Sequence, residues 1–304
     1  MSLTALKDIS LPFRAHKVQK LVKKVKLTVL VEDSVNARKT NLTAKHGLSF
    51  FVEAITSDGE VSILMDTGPS SEALLHNIDA MGINLRRTEV VVLSHGHYDH
   101  VGGLIEILKR TGKRMPVVVH PKIFNPKLKV KPFLMFRGAP YIASNAEKAG
   151  GVLLYAENPV TIAEGVMTTG EIERVLPLEN VEGFWTIDDG RFVKDIMLDD
   201  QALIIDLEGK GLVVATGCAH SGVVNTVKHA KKVTGINKIY AVLGGFHLAG
   251  ADDNRIEVTA RELEKMNLRF IGPCHCTGSQ AVKRLEETFG NRCKRLRTGD
   301  VVEL

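Results

Sequence analysis

The run Ser94-His95-Gly96-His97-Tyr98-Asp99-His100 carries four metal-ligand side chains within six positions. Three imidazoles and a carboxylate are donors that zinc, iron and manganese accept. A single histidine is usually a packed or surface residue, but four such groups at HxHxDH spacing are hard to explain by packing. Two later segments hold further donors. Thr216-Gly217-Cys218-Ala219-His220 offers a thiol and an imidazole, either of which could reach a metal. His220 is favoured, because imidazole suits a mixed nitrogen and oxygen site better than a lone thiolate. His247, in Gly244-Gly245-Phe246-His247-Leu248, ends another apolar run and is expected at the same edge. There it would support a ligand from behind, touch substrate or serve the structure.

Groups so far apart in the chain need strands that deliver them to one place. Glu89 to Leu93 (EVVVL) reads as a buried strand directly before HxHxDH, and a tight glycine-containing turn at its end projects several side chains into one cleft. Val25 to Val31, Ser49 to Ala54 and Val61 to Met65 read as earlier strands, the last two joined by the turn signal Thr56-Ser57-Asp58-Gly59. A helix starting at Pro69-Ser70-Ser71 carries Leu74, Leu75, Ile78 and Met81 on one face and stops at Gly82. A helix near Leu104 to Lys109 and a strand from Met115 to His120 follow.

The second half repeats the style. Ala202 to Asp206 and Gly211 to Ala215 form a hairpin, followed by a helix near Val223 to Val233 and the strand Lys238 to Leu243. Then come a helix from Asp253 to Met266, the strand Leu268 to Ile271, a helix near Ser279 to Phe289 and a short final strand. Hairpins followed by βα units, twice over, predict an α/β chain with two sheets and helices outside them.

Between Pro121 and Asp200 the pattern weakens, and Pro121, Pro126, Pro132 and Pro140 prevent one regular element. From Ile107 through Ala146 there are nine Lys or Arg and no Asp or Glu. The stretch reads either as a solvated surface loop or as a basic lid holding a phosphate-bearing substrate over the site.

The 304 residues, 44% hydrophobic and 25% charged, exclude a long disordered or collagen-like chain. A core of this size needs no disulfides, and Cys218, Cys274, Cys276 and Cys293 are expected to be reduced thiols. No apolar run approaches the ~18–20 residues of a membrane span. The basic N-terminal stretch, residues 1–26, lacks the apolar core of a secretory signal, so a cytoplasmic protein is expected. The net charge of +5 invites an anionic ligand. A nucleic-acid partner is not expected, since four Tyr and one Trp leave no aromatic-interleaved basic run.

HxHxDH after a strand, followed by Gly102-Gly103, resembles the metallo-β-lactamase superfamily, and Asp66-Thr67-Gly68 matches its upstream Asp-containing turn. The resemblance runs from about Val25 to the C-terminus. It implies a four-layer αββα sandwich, a single domain over 1–304 with a basic, Pro-containing insertion or lid around 121–170. It also implies two divalent metal ions at one edge of the sheets: zinc first, with manganese, iron or magnesium as alternatives. In that pattern His95 and His97 hold one metal, while Asp99 and His100 belong to the other. Cys218 stands where many members have a bridging aspartate. His275, in Pro273-Cys274-His275-Cys276-Thr277-Gly278, fits the C-terminal ligand. The histidine usual before this hairpin is absent or replaced by Asp200. His46 and Asp66 are expected to contact substrate or support the ligands.

HGLS at His46, SHGHYDHVGGL, TTGEIER at Thr168, DDQAL, TGCAH, GGFH and PCHCTG form a set, in order. It resembles the subgroup named for 7,8-dihydropterin-6-methyl-4-(β-D-ribofuranosyl)aminobenzene 5′-phosphate synthase, of methanopterin biosynthesis. That resemblance implies a transferase joining a dihydropterin-methyl diphosphate to a ribosylated aminobenzene phosphate. The metals would act as Lewis acids on the leaving diphosphate. The alternative is a hydrolase of a phosphoester or lactone-like molecule, in which a bridging hydroxide attacks and Asp99 orients it. His97 stands where oxygen-reducing di-iron members normally carry a glutamate, which argues against that activity.

Overall fold

The computed structural model describes residues 22–179 and 182–304; the basic N-terminal stretch lies, up to residue 21, outside them. The central strands are apolar along their whole length because both of their faces are covered. In Glu60–Met65, Val61, Ile63 and Met65 face one core while Leu64 faces another. Val90–Val92 splits the same way, with Val90 and Val92 against Val91.

The first sheet has seven strands, in the order Val301–Glu303, Lys24–Val31, Ser49–Ile55, Glu60–Met65, Val90–Val92, Met115–Val119, Gly151–Tyr155. Its first four strands pair antiparallel and the rest parallel. The second sheet has six, in the order Phe270–Cys274, Ile239–Gly245, Gly211–Thr216, Ala202–Leu207, Val166–Thr168, Thr161–Ala163. Here the first three are parallel and the others antiparallel.

Between the sheets lies a core in which Phe50, Ile63 and Val92 meet Leu203, Ile205, Val213 and Leu243. Helices Ser71–Ala80, Leu104–Thr111 and Ala143–Lys148 cover the outer face of the first sheet through Leu74, Ile78, Leu104, Ile107 and Ala146. Helices Val223–Thr234, Asp253–Glu264 and Ser279–Phe289 cover the second through Val227, Ile256, Leu263 and Leu285. The result is a four-layer αββα sandwich. Leu75 and Met81, expected on the buried face of the first helix, lie at its margin, and the buried Asn77 takes a core position. Asn77 can do so because its amide donates to Leu30 O and Thr43 O, both at 2.8 Å.

Residues 121–200 contribute to each of the three sheets found among the described residues. Gly151–Tyr155 extends the first sheet, and Thr161–Ala163 with Val166–Thr168 extends the second. A separate four-stranded antiparallel sheet is ordered Arg191–Lys194, Phe184–Asp188, Leu128–Lys129, Met135–Phe136. Strands of two to five residues are too short to show periodicity, which is why the sequence pattern weakens there.

The mixed topology matters for function. Lys24–Val31 and the parallel strands end at one edge of the sandwich, and the segments after them carry Asp33, Asp66, His95, Cys218, His247 and His275. In α/β sheets, this carboxyl edge is where ligands bind.

Candidate metal centre

Three imidazoles converge at the base of that edge. His95 Nε2 lies 3.0 Å from His97 Nδ1, and His220 Nε2 lies 3.2 and 3.1 Å from those two nitrogens. All three side chains are buried. In a tetrahedral site with Zn–N bonds of about 2.0–2.1 Å, ligand nitrogens stand about 3.3 Å apart, so this triangle fits a cation within a few tenths of an ångström. The local backbone is built for the approach. A Cβ on Gly96 would stand 2.0 Å from Ile123 O, so the His95–His97 turn passes where only glycine fits.

A second group adjoins the first, with the His95 and His100 ring centroids 4.2 Å apart. His100 Nε2 lies 3.1 Å from Cys218 Sγ and 3.3 Å from His275 Nε2. Asp99 Oδ2 stands 3.5 Å from His275 Nε2 and 3.4 Å from His46 Nε2. Cys218 shares one donor cluster with His95 and His100 and another with His220 and His247, so its thiol sits between the two groups. These His, Cys and Asp groups could hold a metal ion.

Hydrogen bonds behind the rings decide where their lone pairs point. Asp66 Oδ2 accepts from His100 Nδ1 at 2.6 Å and from Ser94 Oγ at 2.7 Å, while Asp66 Oδ1 accepts from the Ser94 N–H. Ser94 Oγ is therefore left to accept from His95 Nδ1 at 2.9 Å. Asp33 Oδ1 lies 2.9 Å from His275 Nδ1. Each contact leaves Nε2 of the ring free to face the cluster, the arrangement that orients metal ligands. His97 Nε2 and His220 Nδ1, by contrast, are buried without hydrogen-bond partners among the described residues. Asp66, Ala219, His247 and His275 adopt left-handed φ values of 60°, 53°, 47° and 49°. Such strain gathers at sites where side chains must be aimed.

Electrostatics separate the two groups. Burial, aided by neighbouring imidazoles, holds His95 and His220 well below the usual histidine range and pushes His97 down to about 3. These rings are neutral and ready to donate. Burial alone would raise Asp99, but its bond to His275 and the nearby imidazoles hold it well below the carboxylate range. Burial opposes charge on His275 too, yet Asp33 and Asp99 raise it. Burial also pushes the Cys218 thiol up, and a bound cation would displace its proton.

Above the donors lies a cavity of about 420 Å³, lined also by Tyr98, Lys129, Arg137, Phe184 and Arg295. Lys129 and Arg295 form no ion pair among the described residues, and the Arg137 guanidinium sits 5.7 Å over the Tyr98 ring. The cavity therefore offers three cations to an anion. The small sheet is anchored beside it by the buried Lys127, whose Nζ lies 2.6 Å from Asp199 and 3.1 Å from Asp195. Asp199 in turn accepts the Gly96 N–H at 2.8 Å, coupling that sheet to the histidine turn.

The pattern of the metallo-beta-lactamase superfamily matches residues 42–228, more than half of the chain. The chain belongs to the metallo-beta-lactamase superfamily. It is 36% identical over 289 residues, 93% of this chain and 97% of the relative, to 7,8-dihydropterin-6-methyl-4-(beta-D-ribofuranosyl)-aminobenzene-5'-phosphate synthase of Methanocaldococcus jannaschii. An uncharacterised protein of the same organism is 33% identical over 80% of this chain and 88% of its own length. Among solved structures, a metal-dependent hydrolase of the beta-lactamase superfamily superposes with a TM-score of 0.77 at 27% identity, covering 92% of this chain and 99% of that one. The zinc-bound PqqB from Methylobacterium extorquens, at 14% identity and a TM-score of 0.52 over 92% of this chain and all of that one, shares the fold. The protein is thus a metallo-β-lactamase-fold enzyme.

Within that superfamily framework, His95, His97 and His220 gather in one group, and Asp99, His100, His275 and Cys218 in the other. Asp66 lies behind His100, buried from any substrate. His46 reaches Asp99 and also Asp33, at 3.3 Å. His247 stacks by His220 with centroids 4.2 Å apart. Asp200 accepts the Ser221 N–H at 2.7 Å and braces the His220 loop. His220 itself meets the His95–His97 pair from the loop that follows Gly211–Thr216, the second strand of the hairpin.

Sequence reasoning missed Asp33 and Glu32, which accepts the His275 N–H at 2.8 Å. An acidic pair directly after an apolar strand was the available signal. Of the nine cations in the basic run, Lys129 and Arg137 line this cavity. Lys109, Arg110 and Lys122 pair with Glu106, Asp79 and Asp188, and Lys127 is buried.

Proposed function

We propose that the protein holds two divalent metal ions, zinc by preference, and transfers a dihydropterin-methyl group from its diphosphate to a ribosylated aminobenzene phosphate. The observation that carries this reading is end-to-end likeness to a synthase so named, 36% identical over 93% of the chain. The three cations over two donor clusters support it, because the donor bears a diphosphate.

His95, His97 and His220 would hold one ion, and Asp99, His100 and His275 the other, with Cys218 between them. When bound, the pair supplies Lewis acidity that offsets the charge growing on the leaving diphosphate. Arg137, Lys129 and Arg295 neutralise the donor's diphosphate and hold its methylene carbon towards the acceptor. The aniline nitrogen's lone pair forms the new C–N bond as the C–O bond breaks. That electron pair leaves with diphosphate, which also takes up the one proton the nitrogen gives up. Phe184, leaning over His97 at 5.0 Å between ring centroids, helps keep water out.

The test is diphosphate release by metal-loaded protein with and without acceptor. Release only with acceptor, together with a condensed product, is expected. The second reading, a metal-dependent hydrolase, is supported by the structural likeness to such an enzyme at 27% identity. It predicts release or ester cleavage without acceptor, and that result would overturn the transferase.

A further inference from the structure

A second cavity, of about 530 Å³, adjoins the metal-facing one and shares Lys129 and Phe184 with it as a common wall. It is lined by the small sheet rather than the sandwich: Trp185 comes from Phe184–Asp188, Lys194 from Arg191–Lys194, and Lys131 from the turn after Leu128–Lys129. Its size suits one small organic molecule.

The lining has two parts. Phe184 and Trp185 give it an aromatic wall, and Phe192, which does not line it, stacks behind Trp185 at 4.8 Å and 8°. That buttress holds the indole as a fixed platform for a planar ring. Lys129, Lys131 and Lys194 make no ion pair among the described residues. Of the carboxylates, Asp195 is taken up by Lys127, leaving Glu182 against the three lysines. Arg174 is engaged elsewhere, donating to the Ile196 and Met197 carbonyls.

We infer that this second cavity binds the acceptor, an aromatic sugar phosphate, with its ring on Trp185 and its phosphate on Lys131 and Lys194. The inference rests on the transferase reading for the word acceptor. The diphosphate-bearing donor belongs over the metal donors, so the co-substrate needs a neighbouring compartment opening on the same wall. Its nitrogen would then approach past Phe184.

Trp185 is the single tryptophan of the chain, so indole fluorescence reports on this cavity. Metal-loaded protein is titrated with 4-(β-D-ribofuranosyl)aminobenzene 5′-phosphate. Saturable quenching is expected, with Kd raised tenfold or more by Lys131→Ala with Lys194→Ala and unchanged by inorganic diphosphate. Trp185→Phe should keep binding by calorimetry while losing the optical signal. Quenching that diphosphate competes away, or a Kd indifferent to both lysines, would overturn the assignment. If acceptor-dependent diphosphate release continues with unchanged KM in the double lysine variant, the cavity assignment fails and the transferase stands. If lysine-dependent binding occurs without acceptor-dependent turnover, the aromatic phosphate site stands and the transferase fails.

Discussion

In the group formed by His95, His97 and His220, three neutral imidazoles meet without a carboxylate between them, and among the described residues two of the rings have no hydrogen bond behind them. In the group around His100, acids stand behind the rings: Asp66 behind His100 and Asp33 behind His275. The two groups share a stretch of chain, His95 to His100, yet differ in how firmly their donors are held. A ring whose second nitrogen donates to a carboxylate is a fixed and more basic ligand. The His100 group therefore has the more firmly aimed donors for a cation. The His95 group is held by burial and by the tight turn at Gly96.

The largest effect expected from breaking this contrast is that of His95→Ala with His97→Ala. Metal content should fall by one ion per chain, and activity on the order of 10³-fold, well above the 10–100-fold cost of losing a supporting hydrogen bond. Elemental analysis of the purified variant checks it, and unchanged metal and activity would sink the ligand assignment. Next, Cys218→Ser should remove the thiolate-to-metal absorption of cobalt-loaded protein and weaken metal binding about 100-fold. A band that survives the substitution means that Cys276, not Cys218, is the thiolate.

Asp66→Asn should cost about 10–100-fold in affinity, mainly for the ion at His100, because it removes the acceptor that aims that ring. Equal loss at both ions would mean that the Ser94 link to His95 matters as much as the direct bond. Chelator titration of the unaltered protein sharpens the same comparison, since the ion at His95, His97 and His220 should leave first. Simultaneous release would show the groups to be one unit.

The smallest effect on activity concerns Glu179, which caps the helix behind His220 by accepting the Val224 and Asn225 N–H groups. Burial pushes its carboxyl up to about 7, against an ordinary value of 4.5. The folded state thus holds this proton more tightly than the unfolded chain. The stability it contributes is full below about pH 4.5 and is lost as pH rises through about 7. Glu179→Gln should flatten that decline, worth on the order of 3 kcal/mol, in urea unfolding at about pH 5 and pH 8. Parallel slopes for both proteins would place the titration elsewhere.

Much of the architecture was legible because it is local. Val61, Ile63 and Met65 alternate with Leu64 at period two, and Leu74 and Ile78 recur at helical spacing, so sandwich strands and outer helices follow from pattern alone. HxHxDH was legible for the same reason, being six consecutive residues that need no partner to be noticed. The small sheet was not: its strands Leu128–Lys129 and Met135–Phe136 have two residues each and exist only through their cross-strand partners. The basic run looked like one surface, but its charges scatter between outer ion pairs, a buried anchor and two cavities.

By itself, then, the sequence determined the kind of chemistry available and the class of fold, because side-chain type and hydrophobic period are properties of short segments. Only the tertiary structure decided which donors meet. Asp33 and His275 lie 242 positions apart and touch because their strands end at the same edge of two packed sheets. That coincidence depends on strand order and direction, which arise from burying both sheets against each other. It chose His220 as partner of His95 and His97 and set Cys218 between the groups.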